Sequence, residues 1–123
     1  MKAMITKLSW GSIDVRVGKE EHTFRDCKVW PEGAEPWEWE KTDTHHNPGI
    51  QPADIKDILL KDVDVIVLSR GRMLRLQICP ETIALLKASG VKYYFEETSK
   101  AVAIFNRLVA KDRKVGGLFH TTC

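Results

Sequence analysis

The run Val63-Asp64-Val65-Ile66-Val67-Leu68 constrains the fold of this chain more than any other feature. It is almost continuously apolar and β-branched, as expected of a strand covered on both faces. A sheet with one wet face would show strict alternation instead. The flanks supply the cover. Upstream, Pro52 suits a first helical position and Asp54 falls in the first turn, where a carboxylate faces the positive helix end. Ile55, Ile58 and Leu59 lie at i, i+3 and i+4, which predicts a helix of about three turns. Downstream, Pro80 opens a second helix that Gly90 ends, with Ile83 and Leu86 facing inward. Val91, Tyr93 and Phe95 then alternate as a strand. Strand–helix–strand from 63 to 95 implies a parallel pair joined by a right-handed crossover.

The rest of the chain is read against that centre. Ile13, Val15 and Val17 alternate with Asp14 and Arg16, placing the apolar residues on one face of a strand. Gly18 to Glu21 predicts a hairpin turn into a second strand near 22–30. Pro31 to Pro36 is rich in breakers and is expected to be a loop. Trp37-Glu38-Trp39-Glu40 alternates again, with both indoles on one side covering an open sheet face. Thr42 to Gly49 is polar and ends in the turn signal Asn47-Pro48-Gly49. Leu74, Leu76 and Ile78 alternate with Arg75 and Gln77, suggesting a short exposed strand. Thr98 or Ser99 can cap a third helix, whose inner stripe is Ala101, Ile104, Phe105 and Leu108. Val115 to Thr121 reads as a final strand, with Gly116 and Gly117 marking close backbone approach or a bulge. The expectation is an α/β fold: one compact three-layer domain over residues 1–123, with a mixed central β-sheet, an N-terminal β-hairpin region and about three helices. Residues 1–50 are the β-rich, tryptophan-bearing part, and residues 51–123 the alternating part.

Composition excludes several classes. Apolar residues make up 43% and charged residues 29% of the chain, so disorder is not the default. No apolar run approaches the ~20 residues that cross a bilayer, and the N-terminal apolar stretch is shorter than a secretory signal needs, so no targeting segment is expected. Cys27, Cys79 and Cys123 are an odd, widely spaced set, which argues for free thiols and a reducing compartment, hence a cytoplasmic location. Residues 1–62 carry 9 Lys/Arg against 12 Asp/Glu, and residues 63–123 carry 10 against 5. All four tryptophans lie in the acidic half, so the basic stripe with interleaved aromatics of a nucleic-acid binder is absent.

The search for chemistry is mostly negative. Ser69-Arg70-Gly71-Arg72 follows the most buried strand, where ligands of open α/β sheets gather. Its two guanidiniums could hold a carboxylate or phosphate, but the loop is neither a dinucleotide fingerprint nor a P-loop. No cofactor is implied. His45 and His46 are adjacent and should diverge. His120 and Cys123 are three apart, which on a strand points them to opposite faces, so no metal site is expected. A Cys–His pair could join Cys27, Cys79 or Cys123 to His46 or His120, though nothing in the spacing brings them together. No catalytic residue is assigned.

Four stretches carry a resemblance: Asp26-Cys27-Lys28-Val29-Trp30-Pro31, Trp37-Glu38-Trp39, the segment 44–54 beginning Thr44-His45-His46-Asn47-Pro48-Gly49, and Gly116 to Cys123. In their order they resemble a family of small domains. That family includes the vertebrate adipogenesis-associated domain protein, archaeal and bacterial hypothetical proteins, and a mitochondrial complex I assembly factor. The likeness is closest to the adipogenesis-associated branch. It implies a three-layer α/β domain, no established reaction, and protein partners of the kind that assembly or regulatory factors have. The family's Thr-x-His loop matches Thr44 and His46, and its Gly-x-Gly loop matches residues 69–71, with Ser69 replacing the first glycine. The leading expectation is therefore a non-catalytic, partner-binding domain, with exposed parts of the Trp30–Trp39 region as a surface. The alternative is a site for an anionic small molecule at Thr44, His46, Ser69, Arg70, Gly71 and Arg72.

Overall fold

A computed structural model describes residues 2–123. Five strands form the central sheet: β4 (Cys27–Trp30), β5 (Gly33–Pro36), β6 (Val65–Ser69), β7 (Lys92–Glu96) and β8 (Val115–Phe119). Their order is β5-β4-β8-β6-β7. β6 runs parallel to both β7 and β8, while β4 is antiparallel to β8 and β5. The sheet is thus mixed, as the pattern predicts. A separate antiparallel sheet holds β1 (Ala3–Ser9), β2 (Ser12–Val17) and β3 (Glu20–Phe24). The helices are α1 (Pro52–Leu59), α2 (Pro80–Ser89) and α3 (Thr98–Ala110).

Alternation along the strands divides the core in two, because successive side chains point to opposite faces. Ile66, Leu68 and Leu118 face α1 and α2, joining Ile55, Ile58, Leu86 and Trp37. Val65, Val67, Val115, Phe119, Cys27 and Val29 face the other way. There they meet Ala101, Phe105 and Val109 of α3 and Ala3, Ile5, Ile13 and Val15 of the small sheet. The third layer is therefore composite, a helix beside a β-ribbon. Asn106 of α3 joins its two parts, accepting from the Ile5 amide at 3.0 Å and donating to the Ile5 carbonyl at 2.8 Å.

Strand β8 is thin for a reason. A Cβ on Gly116 would stand 2.4 Å from Cγ2 of Ile58, and one on Gly117 would stand 2.6 Å from the Phe119 ring. These glycines let α1 approach one face and let Phe119 meet Phe105 edge-on, 5.4 Å between centroids, on the other.

Several expectations are corrected. Pro31–Pro36 is not wholly a loop: Gly33–Pro36 pairs with β4 as an edge strand, where prolines are tolerated. The strand expected near 22–30 breaks at Arg25–Asp26, where the chain passes from the small sheet to the large one. Trp39–Thr42 is a 3-10 turn rather than a strand. Even so, Trp37 and Trp39 pack together, 5.5 Å apart, on the predicted side. Leu74–Ile78 is a loop anchored by the fully buried Leu76, with one bridge from Ile78 to Ile50. Helix α1 has eight residues, nearer two turns than three. Glu97, not Thr98 or Ser99, caps α3 by accepting from the Ser99 amide.

Gly116→Ala should cost about 1–3 kcal/mol, the usual effect of overpacking a filled core, measured by urea denaturation. Phe105→Ala should cost about 3–5 kcal/mol by leaving a cavity against Phe119.

Candidate functional site

Several buried polar residues, among them Ser69, Thr98, His120 and Thr121, lie at or near the carboxyl ends of β6 and β8, and two loops complete the corner there. The first is residues 39–50. Asp54 is buried at the start of α1 and accepts from Trp37 Nε1 (3.0 Å), Thr42 Oγ1 (2.6 Å), Thr44 Oγ1 (2.5 Å) and the Gln51 amide (2.8 Å). Four donors on one carboxylate fix the course of the loop through Thr44. Beyond it, the Gln77 amide donates to the His46 carbonyl at 2.9 Å, and the Ile50 amide donates to the Gln77 carbonyl at 2.9 Å. His46 is thereby held against the 70s loop. His45 leaves in another direction, 3.0 Å from the Asp43 carboxylate.

The second is the segment after β8. Ladder pairing of β8 ends at Phe119, and each following residue is then held by a different partner. The His120 amide donates to Ser69 Oγ at 2.7 Å, and its carbonyl accepts from Thr98 Oγ1 at 2.7 Å. The Thr121 amide donates to Asp26 Oδ1 at 2.9 Å. The amides of Arg72 and Arg75 donate to the carbonyls of Thr122 and Cys123 at 2.6 and 3.0 Å. Gly71, at φ +88°, permits this approach: a Cβ there would lie 2.4 Å from the Cys123 carbonyl carbon and 3.0 Å from the His120 ring.

The segment therefore departs from strand geometry, and this corrects the expectation that His120 and Cys123 point apart. Cys123 Sγ lies 3.4 Å from His46 Nε2. The imidazoles of His46 and His120 are 5.3 Å apart, and Trp39 packs on both, at 5.0 and 4.7 Å. His120 Nδ1 is 2.8 Å from Asp26 Oδ2, in a pair that is almost fully buried. Burial, followed by the neighbouring His120 and Arg75, holds the His46 imidazole below its ordinary pKa. A neutral imidazole beside a thiol can accept its proton or share a cation with it. Cys27 is different: burial and the nearby Asp26 push its thiol far up, so it is inert in the core. Trp39 Nε1 is enclosed and has no hydrogen-bond acceptor among the described residues. An open hollow of about 450 Å³ adjoins the cluster, with Arg25, Asp26, Trp37 and Trp39 in its wall.

The six residues singled out from the sequence meet different fates. His46, Ser69 and Gly71 all touch the 120–123 segment. Thr44 is buried, its hydroxyl bonded to Asp54. Arg70 turns to the 70s loop, donating to the carbonyls of Leu76 and Leu74 and to Gln77. Arg72 pairs with Glu97 at 3.3 Å. Asp26, Trp39, His120 and Cys123 complete the cluster without a motif of their own to reveal it. The quoted stretches 26–31, 37–39, 44–54 and 116–123 nevertheless contain all four.

The chain is a small mixed-sheet α/β domain with a histidine–cysteine corner at the carboxyl ends of its parallel strands. Residues 5–120 match the model of the family described as protein of unknown function (DUF498/DUF598), and the chain belongs to that family. Solved structures share the fold. A Bartonella henselae protein described as an outer membrane protein superposes with a TM-score of 0.77 at 22% identity, covering 99% of this chain and 97% of that one. A conserved hypothetical protein from Pyrococcus horikoshii gives 0.77 at 21%, covering 97% and 98%. A Bordetella pertussis protein described as an Mth938-like domain gives 0.61 at 22%, covering 96% and 85%.

Asp54→Ala should destabilise by roughly 2–4 kcal/mol, since it strands several enclosed donors. Gly71→Ala should cost about 1 kcal/mol or more through its positive φ alone. By displacing residues 120–123 it should also accelerate alkylation of Cys123, followed by mass spectrometry of the intact chain.

Proposed function

We propose that this protein is a non-catalytic cytoplasmic domain that acts by binding a protein partner, in the manner of a regulatory or assembly factor. One observation carries the reading. Trp10, Met73 and Leu74 are among the most exposed large apolar residues described, at 59%, 63% and 46%. Their loops are strapped to the same short segment. The Gly11 amide donates to the Thr121 carbonyl, and the amides of Arg72 and Arg75 donate to those of Thr122 and Cys123. Exposed apolar side chains gathered on one end of a small domain are the usual mark of an interaction surface. The Trp30–Trp39 region is less suited than the sequence suggests, because Trp37 is buried, Trp39 half-buried, and Trp30 lies under Lys61. The resemblance to the adipogenesis-associated branch supports a regulatory setting, and a link to adipocyte differentiation belongs to this proposal. No helix among the described residues is long and apolar enough to cross a membrane.

Convergence of His46, Ser69 and Gly71 on residues 120–123 favours a second reading, a small-molecule site in the same loops. Arg70 and Arg72 would have to release their present partners to serve it. A metabolite screen by thermal shift tests it, since a ligand of the folded state alone raises the melting temperature.

For the partner reading, cross-linked capture from cells should recover a reproducible, saturable protein with the wild-type chain and lose it with Trp10→Ser/Met73→Ser/Leu74→Ser. These surface changes should leave stability within about 0.5 kcal/mol per site. Equal recovery by both chains, or none by either, would discard this surface.

A further inference from the structure

We infer that His46, His120 and Cys123 form a binding site for a single zinc-class divalent cation, with three protein ligands and one open position. The inference stands apart from the partner reading and rests on geometry. One ligand atom from each of the three side chains falls within 4.8 Å of the others. A tetrahedral ion with bonds of ~2.0 Å to nitrogen and ~2.3 Å to sulfur holds its ligand atoms about 3.5 Å apart. His46 Nε2 and Cys123 Sγ already stand at 3.4 Å. Side-chain adjustment of roughly 1 Å closes the remainder around an ion of that size.

Three features separate this cluster from a chance meeting of surface groups. Asp26 engages His120 Nδ1 at 2.8 Å, so Nε2 is the nitrogen offered to an ion, which would take the place of its hydrogen bond with the Thr122 hydroxyl at 3.3 Å. A carboxylate behind a ligand histidine is the arrangement that sets tautomer and ring orientation in metal sites. Asp26 is itself fixed, its second oxygen accepting from the Thr121 amide. The ligand backbones are also held from outside the cluster. His120 is tied to Ser69 and Thr98, Cys123 to Arg75, and His46 to Gln77. Gly71 leaves room for the His120 ring and the Cys123 backbone. Finally, Trp39 walls one side against both imidazoles.

Ligand chemistry selects the ion. Two borderline imidazole nitrogens with one soft sulfur suit zinc and disfavour magnesium or calcium, which require oxygen. Cys123 binds as the thiolate and gives its proton to solvent, while both imidazoles bind neutral. Three protein ligands leave a fourth position for water or a donor atom from a bound molecule.

The test uses the whole chain, stripped with chelator and kept reduced. Cobalt(II) should bind one equivalent with the absorption band of a thiolate–cobalt bond, and zinc should displace it. Cys123→Ser should remove the band and weaken zinc at least 100-fold, and His46→Gln should weaken it comparably. Asp26→Asn should weaken zinc about 10–100-fold with unchanged stoichiometry. Cys79→Ala should change neither. Circular dichroism on each variant separates lost binding from lost folding, and Cys123 and His46, being only half-buried, are the safer pair. Absence of the band in the wild type, its survival in Cys123→Ser, or zinc affinity unaltered by both ligand substitutions would overturn the site.

Discussion

Strands β6 and β8 lie side by side with every residue buried, and most of the molecule follows from that constraint. Their backbone groups have no water to turn to, so each strand must be paired on both edges. β7 and β4 provide the outer pairs. Their side chains also need cover on both faces. That requirement places α1 and α2 on one side and α3 with the small sheet on the other. The hydrophobic area is thereby split into two cores that share a backbone and little else.

The same constraint creates the histidine–cysteine corner. Where the β6–β8 ladder stops, the next buried polar groups still need partners, and side chains supply them. Ser69 and Thr98 take the main chain of His120, and Asp26 takes that of Thr121. From the sequence, residues 69–72 enter only the alternative reading, as part of an anion site. Their described role is to hold the segment beside them: Gly71 gives room, the Arg72 amide binds Thr122, and the arginine side chains pair within the protein. A structural duty and a binding duty thus meet on one segment, with His46 carried in by the loop that Asp54 anchors.

Much of this was legible from residue 52 onward. Periodicity there marks the helices, the continuous apolar run marks β6, and the Gly116–Gly117 pair marks a close approach. In these segments local pattern and burial agree. The misreadings occur where they part. Gly33–Pro36 has breaker residues yet lies at a sheet edge, where a missing amide does no harm. Leu74–Ile78 alternates like a strand although Leu76 is its one fully buried residue and its pairing amounts to a single bridge, from Ile78 to Ile50. His120 and Cys123 look divergent because spacing rules assume that the strand continues past Phe119. Nothing local announces that it does not. The long-range hydrogen bonds from Asp26, Ser69 and the 70s loop decide it, and these have no sequence signature beyond the family resemblance.

Asp26 stands at the single crossing between the two sheets and reaches His120 across 94 positions of chain. Contacts so remote are insensitive to how long the intervening connections are. The entropy of closing a loop grows only with the logarithm of its length, so ten extra residues on about ninety would cost roughly 0.1 kcal/mol. The turn at Pro31–Glu32 and the connection after α3 can therefore vary in length among relatives with little thermodynamic effect on the corner. A single methyl group at Gly71 has no such latitude. Divergence in this fold should be read through bulk at a few backbone crossings, with loop length a poor guide to whether the corner is kept.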